Sequence, residues 1–504
     1  MAEPQTTEPV GEVADASALV PEQLGFMCGI EVHQQLATGK LHSRQPGLLY
    51  DITIDTVPSD WKRFERKLRP ARGEGGAIDI AARFESRRNR SFVYVQSPNA
   101  GLIELDDQPP LDHDEDAIQI ALTVSALLEA KPVSLLQTMR KTVVDGSNTS
   151  GFQRTSLVAT DGTLQTDGGP VGIDVLCLEE DSARKLDTLS TPNGEQVIYN
   201  LDRLGLPLIE IATAPDVTSP EHAQVTSMAL GRVLRQTRKV RRGLGSIRQD
   251  LNVSLACGDR VEIKGCQDLN WIPRIIRLEM SRQLHFYRLS NELRSMLNLA
   301  PLPRSDESEL ESSIASAVSE HLPLNLVDVS TSFDSCESEM VKGGLSKGHV
   351  MLGLPLAGLN GKIGTKELDK EGAQLPRLGR ELAGAAKLAG VKGVFHSDEL
   401  PAYGIEQEHV DHVRSALSLA PEDGFILCLA PQWQAELALE SVLQRARMAW
   451  HRIPQEVRNV VVKMMEPLRQ CDHCRAVREC TLKPMSLQLS LIQTDGNPRC
   501  PASQ

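Results

Sequence analysis

A mixed α+β fold is predicted by three features of the chain. From Gly25 onward, short apolar runs alternate with Gly, Pro and Asp, the texture of strands joined by turns. Helices with clear start signals stand among these runs without alternating regularly with them, which argues against a strict βαβ array. The length of 504 residues is too great for a single core and asks for two to four domains.

The elements follow in order. Residues 1–24 are acidic and poor in large apolar groups, which predicts a disordered lead segment. Strands are expected near 26–32, 92–96, 101–104, 142–145 and 156–160. A helix over 114–130 opens on acids that suit the positive end of the helix dipole and carries apolar residues at helical spacing. Two further strands are read at 175–178 and 206–212. Ser219 and Pro220 then cap and start a second helix. A hairpin turning at Cys257, Gly258 and Asp259 and a long helix over 275–297 close the first unit. Residues 298–326 shift to Pro, Ser and Glu and are read as a linker. Beyond them lies a second α+β unit, with strands near 327–329, 350–354 and 425–430 and helices over 374–389, after Gln407 and over 434–450.

Composition narrows the class. Hydrophobic residues make up 40% of the chain, as in globular proteins, and no run of eighteen apolar residues occurs. The acidic start lacks a basic region followed by an apolar core, so a soluble, cytoplasmic protein with no membrane span is expected. A net charge of -13 opposes indiscriminate nucleic-acid binding but leaves room for a local basic face. Basic residues cluster at 61–72 and 232–248; in the second cluster the charge immediately precedes a glycine turn where phosphate can approach the backbone. Six of the ten cysteines are scattered singly, which fits reduced thiols and not a disulfide framework.

The stretch 173–216 carries the chemistry. Its two apolar runs hold Glu179, Glu180 and Asp181 in one half and Glu210 in the other. A bare glutamate in a buried strand costs several kcal/mol unless cations or donors compensate it. Upstream, GIEVHQQL sets Glu31 and His33 two apart, on one face of a strand. Glutamates, an aspartate and an imidazole converging on one sheet suit Mg²⁺ with ATP phosphates; ordinary strand-end carboxylates with arginine or solvent partners are the plainer alternative. DGSNTSGFQRT, after Arg140 and Lys141, places hydroxyl and amide side chains between two glycines, a turn able to hold an anionic substrate or simply to close a surface hairpin. Neither a P-loop nor a GxSxG nucleophile motif is present.

In order, GIEVHQQL, RKTVVDGSNTSGFQRT, LEEDSARK, LDRLGLPLIEIATAPD and RRGLGSIRQDLNVS resemble the cradle domain of the GatE subunit of archaeal glutamyl-tRNA(Gln) amidotransferase, in the GatB/GatE family. The likeness runs over about 25–283. GVFHSDELPAYGI, residues 393–405, resembles the GAD domain that GatE shares with bacterial-type aspartyl-tRNA synthetases. The resemblance implies a cradle with a mixed sheet over 25–300, a linker over 301–326, an inserted α+β GAD domain over 327–450 and a return segment over 451–463. It implies a ligase that uses ATP and Mg²⁺ to phosphorylate the glutamyl γ-carboxylate of Glu-tRNA(Gln), with ammonia supplied by a glutaminase/asparaginase-like partner subunit of the GatD type in a heterodimer or heterotetramer. Carried over by motif, His33, Glu179 and Glu210 are the implied metal ligands, and Glu31, Glu180, Lys141 and Asp250 the implied catalytic groups. Arg140, Ser147, Asn148, Gln153 and Arg248 are the implied substrate and ATP contacts.

Two departures from the family pattern stand out. Where it reads KLFCxCP, this chain has LHSRQP over 41–46, so a cysteine pair is missing. Near Lys463 the family pattern stops; read one base earlier, codons for residues 464–486 can spell the segment the family has there. A frameshifted, truncated tail over 464–504 without a selected fold is therefore expected. A zinc knuckle from Cys471, Cys474, Cys480 and Cys500 is the weaker alternative. The rival to an active amidotransferase subunit is accordingly a catalytically silent, tRNA- or partner-binding remnant.

Overall fold

The computed structural model describes residues 9–67, 90–191, 194–302, 307–463 and 488–493. The chain forms two compact units, one comprising Cys28–Leu251 with Gly265–Asn270, the other mainly Asn252–Lys264 and Trp271–Pro498 together with the N-terminal segment. Both mix strands and helices, as the α+β reading requires.

The first unit holds β1 (Met27–Gln35), β2 (Arg63–Lys67), β3 (Arg90–Val95), α1 (Glu115–Leu127), β4 (Lys131–Pro132), β5 (Thr138–Thr142), β6 (Phe152–Thr166), β7 (Gly169–Glu180), β8 (Arg184–Thr191), β9 (Gly194–Asn200), β10 (Pro207–Thr213), α2 (Pro220–Gln236) and β11 (Ile247–Ser254). Its main sheet runs β11-β1-β10-β7-β6-β4, with β5 also paired to β6. A smaller sheet runs β2-β3-β9-β8, with β3 and β9 parallel. Strand alternation sends Phe92, Tyr94, Val197 and Tyr199 into one apolar cluster and Val93, Val95 and Ile198 into another. Both helices start where capping chemistry dictates: Asp114 accepts from the Ala117 amide and Ser219 from the His222 amide.

The second unit contains β12 (Val261–Lys264), α3 (Ile272–Met296), α4 (Glu307–His321), β13 (Val327–Asp328), α5 (Glu339–Leu345), β14 (Val350–Leu356), α6 (Leu378–Leu388), β15 (Phe395–His396), α7 (Gln407–Ala416), β16 (Gly424–Ala430), α8 (Gln432–Arg447), β17 (Glu456–Lys463) and β18 (Gln488–Gln493). An antiparallel sheet in the order β13-β14-β16-β15 packs Met351, Phe425 and Leu427 against Phe333, Val341 and Val413. β12 pairs parallel with β17, and β17 antiparallel with β18. Buried among α3, α6, α8 and β17 is an ionic cluster: Glu381 receives Arg445 at 3.0 Å and Arg458 at 3.0 and 2.9 Å, while Arg282 bonds Glu279 and Glu456.

Several expectations are corrected. Residues 9–24 are not a disordered lead: Ala16, Leu19 and Leu24 are buried, and Ser281 and Arg288 of α3 bond the Val13 and Gly11 carbonyls. Residues 101–104 form a turn and not a strand, because the Glu104 carboxylate turns back to accept from the Gly101 amide at 2.7 Å. The strand expected at 142–145 lies earlier, as β5. The expected linker contains α4, whose Ile314 and Val318 are buried at four-residue spacing together with Leu322 just past its end. Of the basic stretch 61–72, residues up to Lys67 reach β2 and the remainder lie outside the described residues. Of the tail 464–504, expected to lack a fold, Gln488–Gln493 pairs through its backbone with β17; strand pairing draws on main-chain groups that nearly every residue carries. Its four cysteines lie outside the described residues. Among the described residues no helix is long and apolar enough to cross a membrane.

Candidate active site

Register builds the site. In β1 and β10, His33 stands directly opposite Glu210, and β10 in turn sets Glu210 opposite Cys177 and Leu208 opposite Glu179 on β7. Directly paired residues share a face, and every second residue returns to it. Glu31, His33, Glu210 and Glu179 therefore project together. Across β6, Thr155 pairs with Glu179, and β5 sets Lys141 opposite Gln153 on the same face.

The side chains close on one another. His33 Nε2 lies 3.4 Å from Glu31, 3.6 Å from Glu179 and 3.7 Å from Glu210. Lys141 Nζ donates to Glu179 at 2.5 Å and to Glu210 at 2.8 Å. Glu179 also accepts from Thr155 Oγ1 at 2.8 Å and Gln153 Nε2 at 3.2 Å. Ligand atoms of Glu31, His33 and Glu210 lie within 4.8 Å of one another, a spacing that one metal ion can bridge.

Electrostatics divides the acids. Burial, reinforced by the charge of Glu210, pushes Glu179 up to about 7. The same burial acts to raise Glu210, but His33, Glu179 and Lys141 outweigh it and hold that carboxyl well below the usual range. Burial works against a charged His33, yet the surrounding carboxylates raise it above its ordinary value. Lys141 is likewise raised against its burial by Glu179 and Glu210, so it stays cationic.

Glu180 and Arg140 do not join this cluster. As the strand neighbour of Glu179, Glu180 projects to the opposite face, where Arg154 clasps it at 2.9 and 3.2 Å. Burial, only partly offset by Arg154, raises its pKa. Arg140, cross-strand from Arg154, stacks 4.9 Å from the Phe152 ring on that face. Ser147 bonds Asp145 through its amide and hydroxyl, and Asn148 donates to the Phe152 carbonyl at 3.2 Å, leaving its buried Oδ1 without a hydrogen-bond partner among the described residues. Both residues therefore shape the turn that the two tyrosines hold: Tyr94 donates to the Gly146 carbonyl and Tyr199 to that of Asp145. Arg248 reaches Asp181 at 3.2 Å, and buried Asp250 bears on the Cys266 thiol.

Residues not singled out from the sequence complete the arrangement. Thr155 and Arg154 each brace one of the paired glutamates. Gln35 donates to Asp181 at 2.7 Å and Arg203 lies 3.6 Å from it; Arg203, Arg248 and Gln35 hold the Asp181 carboxyl low despite burial. Period-two alternation from Gln153 was the signal for Thr155; nothing local marks Arg203. Where the family pattern has its cysteines, Ser43 donates to Glu104 at 2.6 Å and wholly buried Lys40 lies 3.7 Å from the same carboxylate. The loop is thus tied by hydrogen bonds and an ion pair.

The site is a sheet face on which carboxylates, an imidazole and a lysine converge, a donor set of the kind that can accommodate a hard cation. The model of the GatB/GatE catalytic domain matches residues 26–312, and the chain belongs to this family. It is 42% identical over 452 residues to the GatE subunit of glutamyl-tRNA(Gln) amidotransferase from Pyrococcus furiosus, covering 89% of this chain and 66% of the relative. Relatives of the same name from Methanosarcina acetivorans and Sulfurisphaera tokodaii are 42% and 38% identical, over 87% and 94% of this chain and 64% and 70% of their own length. The match thus spans about two thirds of these relatives.

Proposed function

We propose that this chain acts as an amidotransferase subunit that converts Glu-tRNA(Gln) to Gln-tRNA(Gln) in the cytoplasm, using ATP and Mg²⁺ and ammonia from a GatD-type glutaminase partner. The observation that carries this reading is the Lys141 ammonium held between Glu179 and Glu210 beside His33: an acid-rich pocket already accommodating one cation. Glu31, His33 and Glu210 fit a divalent ion by their mutual spacing. Such an ion supplies charge neutralisation for phosphate oxygens during phosphoryl transfer.

In this reading a γ-carboxylate oxygen of the glutamyl group attacks the terminal phosphorus of ATP, and ADP leaves with the bridging oxygen. Ammonia then adds to the carbonyl carbon of the acyl phosphate, inorganic phosphate departs as the C–O bond breaks, and the nitrogen loses a proton. Lys141, half exposed and permanently cationic, is placed to meet phosphate oxygens. Thr155 and Gln153 orient Glu179, which near neutral pH can take or give a proton.

The test is ADP release dependent on Glu-tRNA(Gln) with the partner subunit present, alongside calorimetric Mg²⁺ binding to the chain alone. Glu210→Gln should lower turnover by roughly 10²–10³-fold, the scale of a lost charge-stabilising group, and weaken Mg²⁺ binding. Wild-type turnover and ion affinity in Glu210→Gln, or no turnover by the wild-type chain, would overturn the reading.

A further inference from the structure

Between Glu221 and Asp250 the chain carries no acid, although the whole protein has a net charge of -13. The interval ends in a loop that projects from the first unit between α2 and β11. Its tip is Gly243-Leu244-Gly245. Leu244 is 95% exposed, and a Cβ added to either glycine would meet nothing within 4 Å. Both glycines have positive φ, +109° and +78°, so the tip adopts a conformation that side chains disfavour. A leucine left in water at such a point is the reverse of core packing.

The feet of the loop are fixed. Gln34 Nε2 donates to the Arg241 carbonyl at 3.1 Å and the Ser246 carbonyl at 3.0 Å. The Gln35 amide bonds Ser246, the Arg241 amide bonds Gln35, and the Ala37 amide bonds Lys239, all within 2.9 Å. Arg241 commits its guanidinium to the Leu36 and Gly47 carbonyls. Arg238, Lys239 and Arg242 are exposed and form no ion pair among the described residues. Cations beside a helix C-terminus are ordinary, which accounts for Arg235 in the last turn of α2; Arg238, Lys239 and Arg242 lie beyond it.

We propose that Leu244 and the cations Arg238, Lys239 and Arg242 clamp the single-stranded 3′ end of an RNA. The cations meet successive phosphates, and the exposed leucine packs on an unstacked terminal base. Placement supports this over a patch for an acidic protein. The loop is stapled to Gln34 and Gln35, one and two residues past His33, so its feet lie roughly 3–7 Å along the strand from the imidazole. Its tip reaches at most about 10 Å further. An RNA end held there lies beside the end of β1 that follows His33. The inference rests on the aminoacyl-tRNA reading above and assigns its surface for the 3′ end.

Fluorescence anisotropy of the full chain with tRNA(Gln) transcript, intact or lacking its single-stranded 3′ end, tests the clamp. Arg238→Ala/Lys239→Ala/Arg242→Ala should weaken binding of the intact transcript at least tenfold and reduce the slope of log affinity against log salt by about 2, from three phosphates at roughly 0.7 each. Leu244→Ser should weaken intact transcript roughly fivefold and leave the trimmed one unchanged. Wild-type chain that fails to bind the intact transcript, or loop variants that bind it like wild type, would overturn the clamp. So would unchanged RNA binding accompanied by loss of the partner subunit on gel filtration, which would assign the strip to a protein. Loop-dependent RNA binding without ATP turnover would instead refute the amidotransferase reading and leave the clamp standing.

Discussion

Lys40 is wholly buried, and its removal has a calculable signature. Burial lowers its pKa to about 8 from an ordinary 10.5, in spite of the opposing pull of Glu104 and Asp202. Its ammonium keeps one carbonyl partner, Leu201, at 3.1 Å and Glu104 at 3.7 Å. A lysine with a depressed folded pKa binds fewer protons when folded than when unfolded throughout the window between about 8 and 10.5, so stability rises with pH across that window. Below pH 8 the cost is fully present, about 3 kcal/mol, and some 2 kcal/mol of it should be relieved between pH 7 and about 9.5. Lys40→Met abolishes this contribution. Glu104 retains Ser43 and the Gly101 amide as donors, so the carboxylate is not stranded. Thermal unfolding of both proteins from pH 7 to 9.5 isolates the effect: the advantage of Lys40→Met over wild type should shrink steadily as pH rises. Parallel pH profiles for the two proteins would refute the claim that a charged lysine is held at a cost under the loop.

Gly146 has φ +81°, and an added Cβ would lie 2.4 Å from the Phe92 ring, so Gly146→Ala should cost about 2 kcal/mol or more, whereas Gly151→Ala, with φ +75° and open space, should cost about 1 kcal/mol. Comparing the two melting temperatures checks the distinction. In the second unit, Glu381→Gln leaves Arg445 and Arg458 buried around a neutral amide and should destabilise by about 3–5 kcal/mol, read as an early unfolding transition.

The candidate site was legible where the chemistry follows strand alternation. Glu31 and His33 could be placed on one face from their spacing, and the two apolar runs carrying Glu179 and Glu210 do become neighbouring strands β7 and β10. Alternation alone did not say which of two consecutive acids faces the imidazole, because the phase at a strand end depends on pairing with a distant partner. Register supplied it: Leu208 opposite Glu179 fixes the phase of β7 against β10. The Ser-rich composition of 298–326 hid α4, although Ile314, Val318 and Leu322 repeat at helical spacing. The order of residues 9–24 has another origin. Their few apolar groups, Ala16, Leu19 and Leu24, gain burial within a unit whose other residues lie more than two hundred positions away, a pairing that no local pattern encodes.

The two faces of β6 and β7 differ in how their acids are matched, which bears on the cation site proposed above. On one face Glu179 and Glu210 confront Lys141, with His33 between them and Glu31 beside the imidazole. Burial first, and then the neighbouring Glu210, pushes Glu179 up to about 7, while the surrounding carboxylates raise His33 against its burial; both responses take up protons. On the other face Glu180 is clasped by Arg154, with Arg140 close by on Phe152. A divalent ion entering the first face replaces protons that its acids and imidazole would otherwise hold, and ion binding there should release protons near neutral pH. The same ion on the Glu180 face would have to displace an arginine already bonded through two contacts. The adjacent acids Glu179 and Glu180 therefore have different surroundings, the first meeting Lys141, Gln153 and Thr155 and the second clasped by Arg154 on the opposite face.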